Sequence, residues 1–179
     1  MNASYMGSKT FENLLKAFTM ESEARTKYSI YASKAAKEGY EQIAGIFRKI
    51  SENEMEHAKI WYKELSGSPS TFDNLLAAED RENQEWSEIY IEFADTASRE
   101  GFKDIADKFR KIAFIEMNHE DIINKLLNNL DNHSVFRKEK PCTWVCRNCG
   151  YNYVSNEAPE TCPACEHPQG FFEMKENNF

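Results

Sequence analysis

A chain of 179 residues with a formal net charge of −8 has room for one good domain and a small second one, and its charge argues against a general nucleic-acid or membrane-surface binder. No apolar run reaches the length of a membrane span and no signal-peptide pattern opens the sequence, so the expected address is the cytoplasm. All five cysteines fall between Cys142 and Cys165, a clustering that reads as a metal site in a reducing compartment rather than a disulfide framework.

Residues 1–9 read as a loose lead-in. From about Thr10 to Glu38 the pattern is helical, with Phe11, Leu14, Phe18, Glu21, Tyr28, Ala32 and Ala35 on one stripe and Gly39 as the stop. A second helix is expected from about Tyr40 to Leu65, ending at Gly67, followed by the loop Gly67-Ser68-Pro69-Ser70. A third spans about Thr71 to Glu100 with Gly101 as its stop, and a fourth about Phe102 to Leu130. Four long helices joined by short turns predict a mainly α fold, a four-helix bundle.

The second and fourth helices each carry a Glu-x-x-His pair, Glu54-Met55-Glu56-His57 and Glu116-Met117-Asn118-His119. Positions i and i+3 share a helix face, so a carboxylate and an imidazole so spaced can hold one metal ion together. The pairs stand on apolar stripes. One runs Ile43, Phe47, Ile50, Glu54, His57, Trp61; the other runs Ile105, Phe109, Ile112, Glu116, His119, Ile123, Leu126, Leu130, in steps of four and three throughout. A charge in a core slot is costly unless it is paired or bound to metal. One isolated pair would be read as a solvated Glu and a satisfied His; two copies on apolar stripes favour ligands.

The chain repeats itself with an offset of 62. Glu38-Gly39-Tyr40-Glu41-Gln42-Ile43-Ala44 returns as Glu100-Gly101-Phe102-Lys103-Asp104-Ile105-Ala106, and Tyr28 returns as Tyr90. Two related helix pairs place the Glu-x-x-His pairs about a pseudo-twofold axis and call for acids on helices one and three. Glu21 lies on the first stripe; Glu82 and Glu85 lie on the third helix, sharing a face with Leu75, Ala78 and Ile89. Glu85 is the 62-offset partner of Glu23, whereas Glu82 is one residue out of step with Glu21. A π-bulge in the third helix is the expected device to absorb that residue. The donor set Glu21, Glu54, His57, Glu82, Glu85, Glu116 and His119 suits iron or manganese better than zinc or copper, and five carboxylates suit two ions. Two ferrous ions together supply the two electrons that reduction of an O–O bond needs.

From Asp131 to Pro141 the pattern reads as a linker. Then come Cys146-Arg147-Asn148-Cys149-Gly150 and Cys162-Pro163-Ala164-Cys165, two Cys-x-x-Cys knuckles and a strong signal for a tetrahedral iron or zinc site. Trp144, Tyr151, Tyr153, Phe171 and Phe172 are the expected shield of that small core, and Cys142 is left over as a free thiol. The domain boundary falls between residues 134 and 135, giving domains 1–134 and 135–179.

These residues resemble the rubrerythrin family over nearly the whole chain. The matching pieces are Glu21-Ser22-Glu23-Ala24-Arg25, Glu54-Met55-Glu56-His57-Ala58-Lys59, Glu82 with Glu85, Glu116-Met117-Asn118-His119, and the tail Cys146-Arg147-Asn148-Cys149-Gly150-Tyr151 with Ala158-Pro159-Glu160-Thr161-Cys162-Pro163-Ala164-Cys165. The resemblance implies a ferritin-like di-iron bundle followed by a rubredoxin-like domain, with two irons in the bundle and one at the four cysteines. It implies a peroxidase that reduces hydrogen peroxide to water and protects against oxidative stress. The electrons would come from an NAD(P)H-dependent reductase or rubredoxin, through the four-cysteine iron. By the same resemblance Glu54 and Glu116 bridge the irons, Glu21 and Glu82 are terminal ligands, and His119 is a fixed ligand. His57 and Glu85 alternate with redox state, and Tyr28 and Tyr90 hydrogen-bond the site carboxylates. It further implies a head-to-tail homodimer, with one subunit's four-cysteine site near the partner's bundle.

Two other functions compete. Ferritin-like iron oxidation and storage uses the same bundle but leaves the cysteine-rich tail without a purpose. A zinc-ribbon adaptor explains the tail but leaves seven ligand-type residues on core stripes unexplained.

Overall fold

The computed structural model describes residues 5–176. Residues 1–4 of the expected lead-in lie outside the described residues. The chain divides into two compact units, the first ending at Pro69 and the second beginning at Ser70.

The first unit is a helical hairpin of α1 (Lys9–Lys37) and α2 (Glu41–Ser66). The Ser8 side chain starts α1 by accepting the Phe11 amide at 3.1 Å. The turn is a Schellman motif: Tyr40 N–H reaches Ala35 O at 2.9 Å, Gly39 N–H reaches Ala36 O at 3.0 Å, and Gly39 takes φ +86°. That left-handed conformation is cheap only for glycine. The buried seam is made of small side chains, Ala32 and Ala35 on α1 and Ala44, Ser51, Ala58 and Leu65 on α2. The α2 members recur every seven residues, the spacing that keeps one line of a helix against its neighbour. Ser51, the polar member, donates its hydroxyl to Arg25 O at 2.8 Å.

The second unit repeats this hairpin and adds the tail. Its first rod is α3 (Thr71–Gln84), a π-helical turn (Glu85–Ile89) and α4 (Tyr90–Arg99); its second is α5 (Lys103–Asp131). A capping box opens α3, in which Ser70 Oγ accepts the Asp73 amide at 3.1 Å and Asp73 Oδ2 accepts the Ser70 amide at 3.0 Å. The hairpin turn is the same Schellman motif, with Phe102 N–H on Ala97 O at 2.8 Å and Gly101 at φ +88°. Ala94, Ala97, Ala106 and Ala113 are buried here, each 62 residues beyond Ala32, Ala35, Ala44 and Ser51.

The long apolar residues of the stripes behave differently from the expectation of core burial. Ile43, Ile105, Ile112 and Leu126 remain 47%, 43%, 37% and 47% exposed. Two helices in a hairpin hide only the line between them, and that line is filled by alanines.

The tail is a three-stranded antiparallel sheet in the order β2-β1-β3, from β1 (Arg137–Cys146), β2 (Asn152–Glu157) and β3 (Phe172–Met174). Residues 137–141, expected as linker, belong to β1. Pairing to β2 is irregular between Arg137 and Cys142, and β3 first meets β1 at Trp144, so Pro141 sits where no regular ladder needs its missing N–H. Trp144, Cys146, Ala158, Cys162 and Phe172 form the core, and the Trp144 indole donates to Ser155 O at 3.1 Å.

Candidate metal centre

Each hairpin gathers one imidazole and two carboxylates. In the first, α1 supplies Glu21 and α2 supplies Glu54 and His57, with one donor atom of each within 4.8 Å of the others. His57 Nδ1 lies 2.9 Å from Glu54 Oε2 and 3.9 Å from Glu21 Oε2. In the second, α3 supplies Glu82 and α5 supplies Glu116 and His119, again within 4.8 Å. His119 Nδ1 lies 2.7 Å from Glu116 Oε2 and 3.4 Å from Glu82 Oε2. Glu54 and Glu116 are largely buried, while the histidines are half exposed.

The π turn is where the expectation from register is met. An unbroken α-helix would rotate Glu82 by about 100° out of the position that Glu21 holds in the first hairpin. The five-residue turn 85–89 takes up the odd residue, so Glu82 faces His119 although it stands 61 residues beyond Glu21. Asn83 and Trp86 fix this stretch on α5, both donating to the Glu120 carboxylate, Asn83 at 2.9 Å.

Glu85 is not in the cluster. Its carboxylate is held by Arg81 on the preceding turn in a short ion pair. Arg81 and Glu120 are the site residues that the sequence reading passed over. The signal for Arg81 was its i,i+4 spacing to Glu85; Glu120, next to His119, gave none.

Tyr28 stacks on Phe47 with ring centroids 6.0 Å apart, and Tyr90 meets Phe109 at 6.0 Å, one pair in each hairpin. Among the described residues neither hydroxyl hydrogen-bonds a carboxylate. Burial, followed by the Glu85 and Glu116 charges, raises the Tyr90 phenol above its ordinary range.

The donors fit a metal on two observations. Glu82 Oε2 is buried without a hydrogen-bond partner. Burial first, then the neighbouring Glu116, raises its carboxyl above the ordinary range, with His119 opposing. A cation would relieve both costs. Second, adjacent positions of an octahedral ion with bonds of about 2.1 Å are about 3.0 Å apart, close to the two Glu–His separations.

The four cysteines form a separate site. Cys146 Sγ lies 3.7 Å from Cys165 Sγ, and Cys149 Sγ 3.7 Å from Cys162 Sγ, all four sulfurs being within 4.8 Å. A tetrahedral ion with bonds of about 2.3 Å has edges of about 3.8 Å. Each knuckle closes on a left-handed residue, Gly150 at φ +77° and Glu166 at φ +61°. The His167 amide bonded to Cys165 lowers that thiol to about 6. Cys149 receives the Tyr151 amide, yet hydrogen bonding among the sulfurs and burial push it up to about 12. Cys142 stands in β1, partly buried against the tail core and outside this cluster.

Comparison with known proteins points to one family. The rubrerythrin family profile matches residues 12–73 and 73–147, and the profile for the rubrerythrin rubredoxin-like domain matches 144–173. Among curated proteins, the chain is 47% identical to rubrerythrin of Porphyromonas gingivalis over 192 aligned positions, covering 100% of this chain and 96% of that protein. It is 44% identical to rubrerythrin-1 of Clostridium acetobutylicum, covering 98% and 99%. A solved structure of nigerythrin in a partially reduced state aligns at 27% identity with a TM-score of 0.36, covering 93% of this chain and 86% of that one.

Proposed function

Because the chain belongs to the rubrerythrin family, with its di-iron site and rubredoxin-like iron site, we propose that it reduces hydrogen peroxide to water. The observation that carries this reading is the pairing of two Glu-Glu-His half-sites with a four-cysteine cluster in one chain. Glu54 and Glu116, the least exposed of the six donors, serve as the shared ligands, with Glu21, Glu82, His57 and His119 around them. Iron held by these residues would supply the two electrons needed to cleave the O–O bond of peroxide, with two protons taken up to give two waters. Glu85 is held by Arg81 and reaches an ion only by leaving that partner, which fits a ligand exchanged with His57 on a change of redox state. Tyr28 and Tyr90, packed on Phe47 and Phe109, take the role of positioning residues for the carboxylates.

Electrons enter through Cys146, Cys149, Cys162 and Cys165, whose ion has its sulfurs partly at the surface. The donor is rubredoxin or an NAD(P)H-dependent reductase, and a head-to-tail homodimer brings the relay within reach. The functional division is then a helical peroxidase domain, 1–134, and an electron-entry domain, 135–179, in the cytoplasm. No described helix is long and apolar enough to cross a membrane.

The test is anaerobic addition of hydrogen peroxide to the chemically reduced, iron-loaded protein. Oxidation of one iron pair per peroxide, with no release of dioxygen, is the expected result. Dioxygen release, or iron left ferrous, overturns the proposal.

A further inference from the structure

The two half-sites sit on different hairpins, and each lacks the other's donors. A pair of ions shared by Glu54 and Glu116 needs an α1–α2 hairpin facing an α3–α5 hairpin. Ferritin-like bundles reach that arrangement with one long crossover connection. This chain has none: α2 runs 26 residues, about 39 Å, and only residues 67–70 separate Ser66 from Thr71. Those few residues reach at most about 18 Å even when fully extended, less than half of the length to be recrossed.

One sequence fact falls at the same place. The family match is broken into two stretches that meet at residue 73, just past this link. Beside the ligands, each hairpin by itself leaves long apolar side chains exposed, Ile43 and Ile46 on α2 and Ile112 and Ile115 on α5. Exposed apolar residues in line with half of a metal site mark a face that a partner covers.

We propose that the di-iron site is assembled between two copies of this chain. The α1–α2 hairpin of one copy contributes Glu21, Glu54 and His57; the α3–α5 hairpin of the other contributes Glu82, Glu116 and His119. A reciprocal pair of chains then holds two sites, neither built from one chain. The repeat makes the two hairpins alike in build, each held by its own internal alanine seam and closed by the same Schellman turn, so each is a self-contained half that a second copy can supply. This rests on the di-iron reading above and adds to it which chain each ligand comes from.

The test crosses two deficient variants. Glu54→Ala and Glu116→Ala chains carrying different affinity tags are co-expressed in iron-replete medium, and the species holding both tags is isolated by sequential purification. Iron is counted after subtracting the four-thiolate ion read from its visible absorption. Exchange between copies gives one doubly deficient and one intact site, so the mixed dimer holds one iron pair per two chains, half the wild-type complement. Each variant alone holds none. A mixed dimer with no more paired iron than its parents, or the absence of any species with both tags, overturns the proposal. Wild-type protein without paired iron defeats the di-iron reading itself, a distinguishable failure. If either alanine variant fails to fold, His57→Gln crossed with His119→Gln gives the same readout.

Discussion

Glu82 Oε2 stands 3.4 Å from His119 Nδ1, although Glu82 is one residue out of step with the repeat that governs the rest of the helices. The π turn of 85–89 makes that approach possible. Inserting one alanine after Ser87 adds a second residue beyond the one that the turn already absorbs, and should swing Glu82 by about 100° away from His119. The expected outcome is weaker iron binding at the helical site, with Glu116 and His119 still adjacent. Iron titration followed by absorbance checks it; unchanged affinity would show that Glu82 is dispensable as a donor.

Glu54 and Glu116 are the donors shared between ions in the proposed function. Glu54→Ala and Glu116→Ala should each abolish paired iron while leaving the four-thiolate chromophore intact. Metal analysis with a visible spectrum decides this, and peroxidase activity retained in either variant would contradict the assignment.

Electron entry is separable from peroxide chemistry. Cys146→Ser removes a buried sulfur that stands 3.7 Å from Cys165. Peroxide should still oxidise a chemically reduced helical site in this variant, while steady-state turnover with reductase and NAD(P)H falls at least tenfold. Normal turnover would remove the relay through the tail.

The thiols give a pH dependence with a fixed sign. At pH 7 Cys165, lowered to about 6, is already mostly thiolate, whereas Cys149, near 12, keeps its proton. Metal uptake by the emptied tail must therefore expel the Cys149 proton, and affinity rises with pH through the neutral range. Calorimetry in buffers of different ionisation heat reads the proton release directly. Stripping the metal should also loosen the core around Trp144, shifting its fluorescence to the red while the helical circular dichroism persists.

The alanine seams predict a steric cost. Ala44 and Ala106 are both 0% exposed. Leucine at either position inserts three extra heavy atoms between closely packed helices and should destabilise by about 1–3 kcal/mol. Urea denaturation of the metal-free protein measures it, and a cost below about 0.5 kcal/mol at both positions would mean that the hairpins are loosely packed.

Much of this was legible before any coordinates. Glycine stops, a 62-residue echo and the steps of three and four located the helices to within about two residues, because those signals are local. Glu82 could be placed only by postulating an extra residue in the turn, and the π helix supplies it. The state of Glu85 was not legible: its i,i+4 spacing to Arg81 permits an ion pair but does not choose it over a metal. The exposure of Ile43 and Ile105 was not legible either. Periodicity names the apolar face of a helix, but not what covers it. The strand character of residues 137–141 was hidden by lysines and a proline that read as linker, and long-range pairing with β2 decided it.

The buried seam repeats at 62 without error from Ala32 to Ala113, whereas the acids Glu21 and Glu82 repeat at 61. What the two halves hold in common is therefore a scaffold first and a chemical site second. An ancestral hairpin, once duplicated, could be altered in one half by a single inserted residue whose disturbance died out within a turn. Heredity kept the seam and left the donor spacing open to change, so two ions in such a centre have no obligation to be alike.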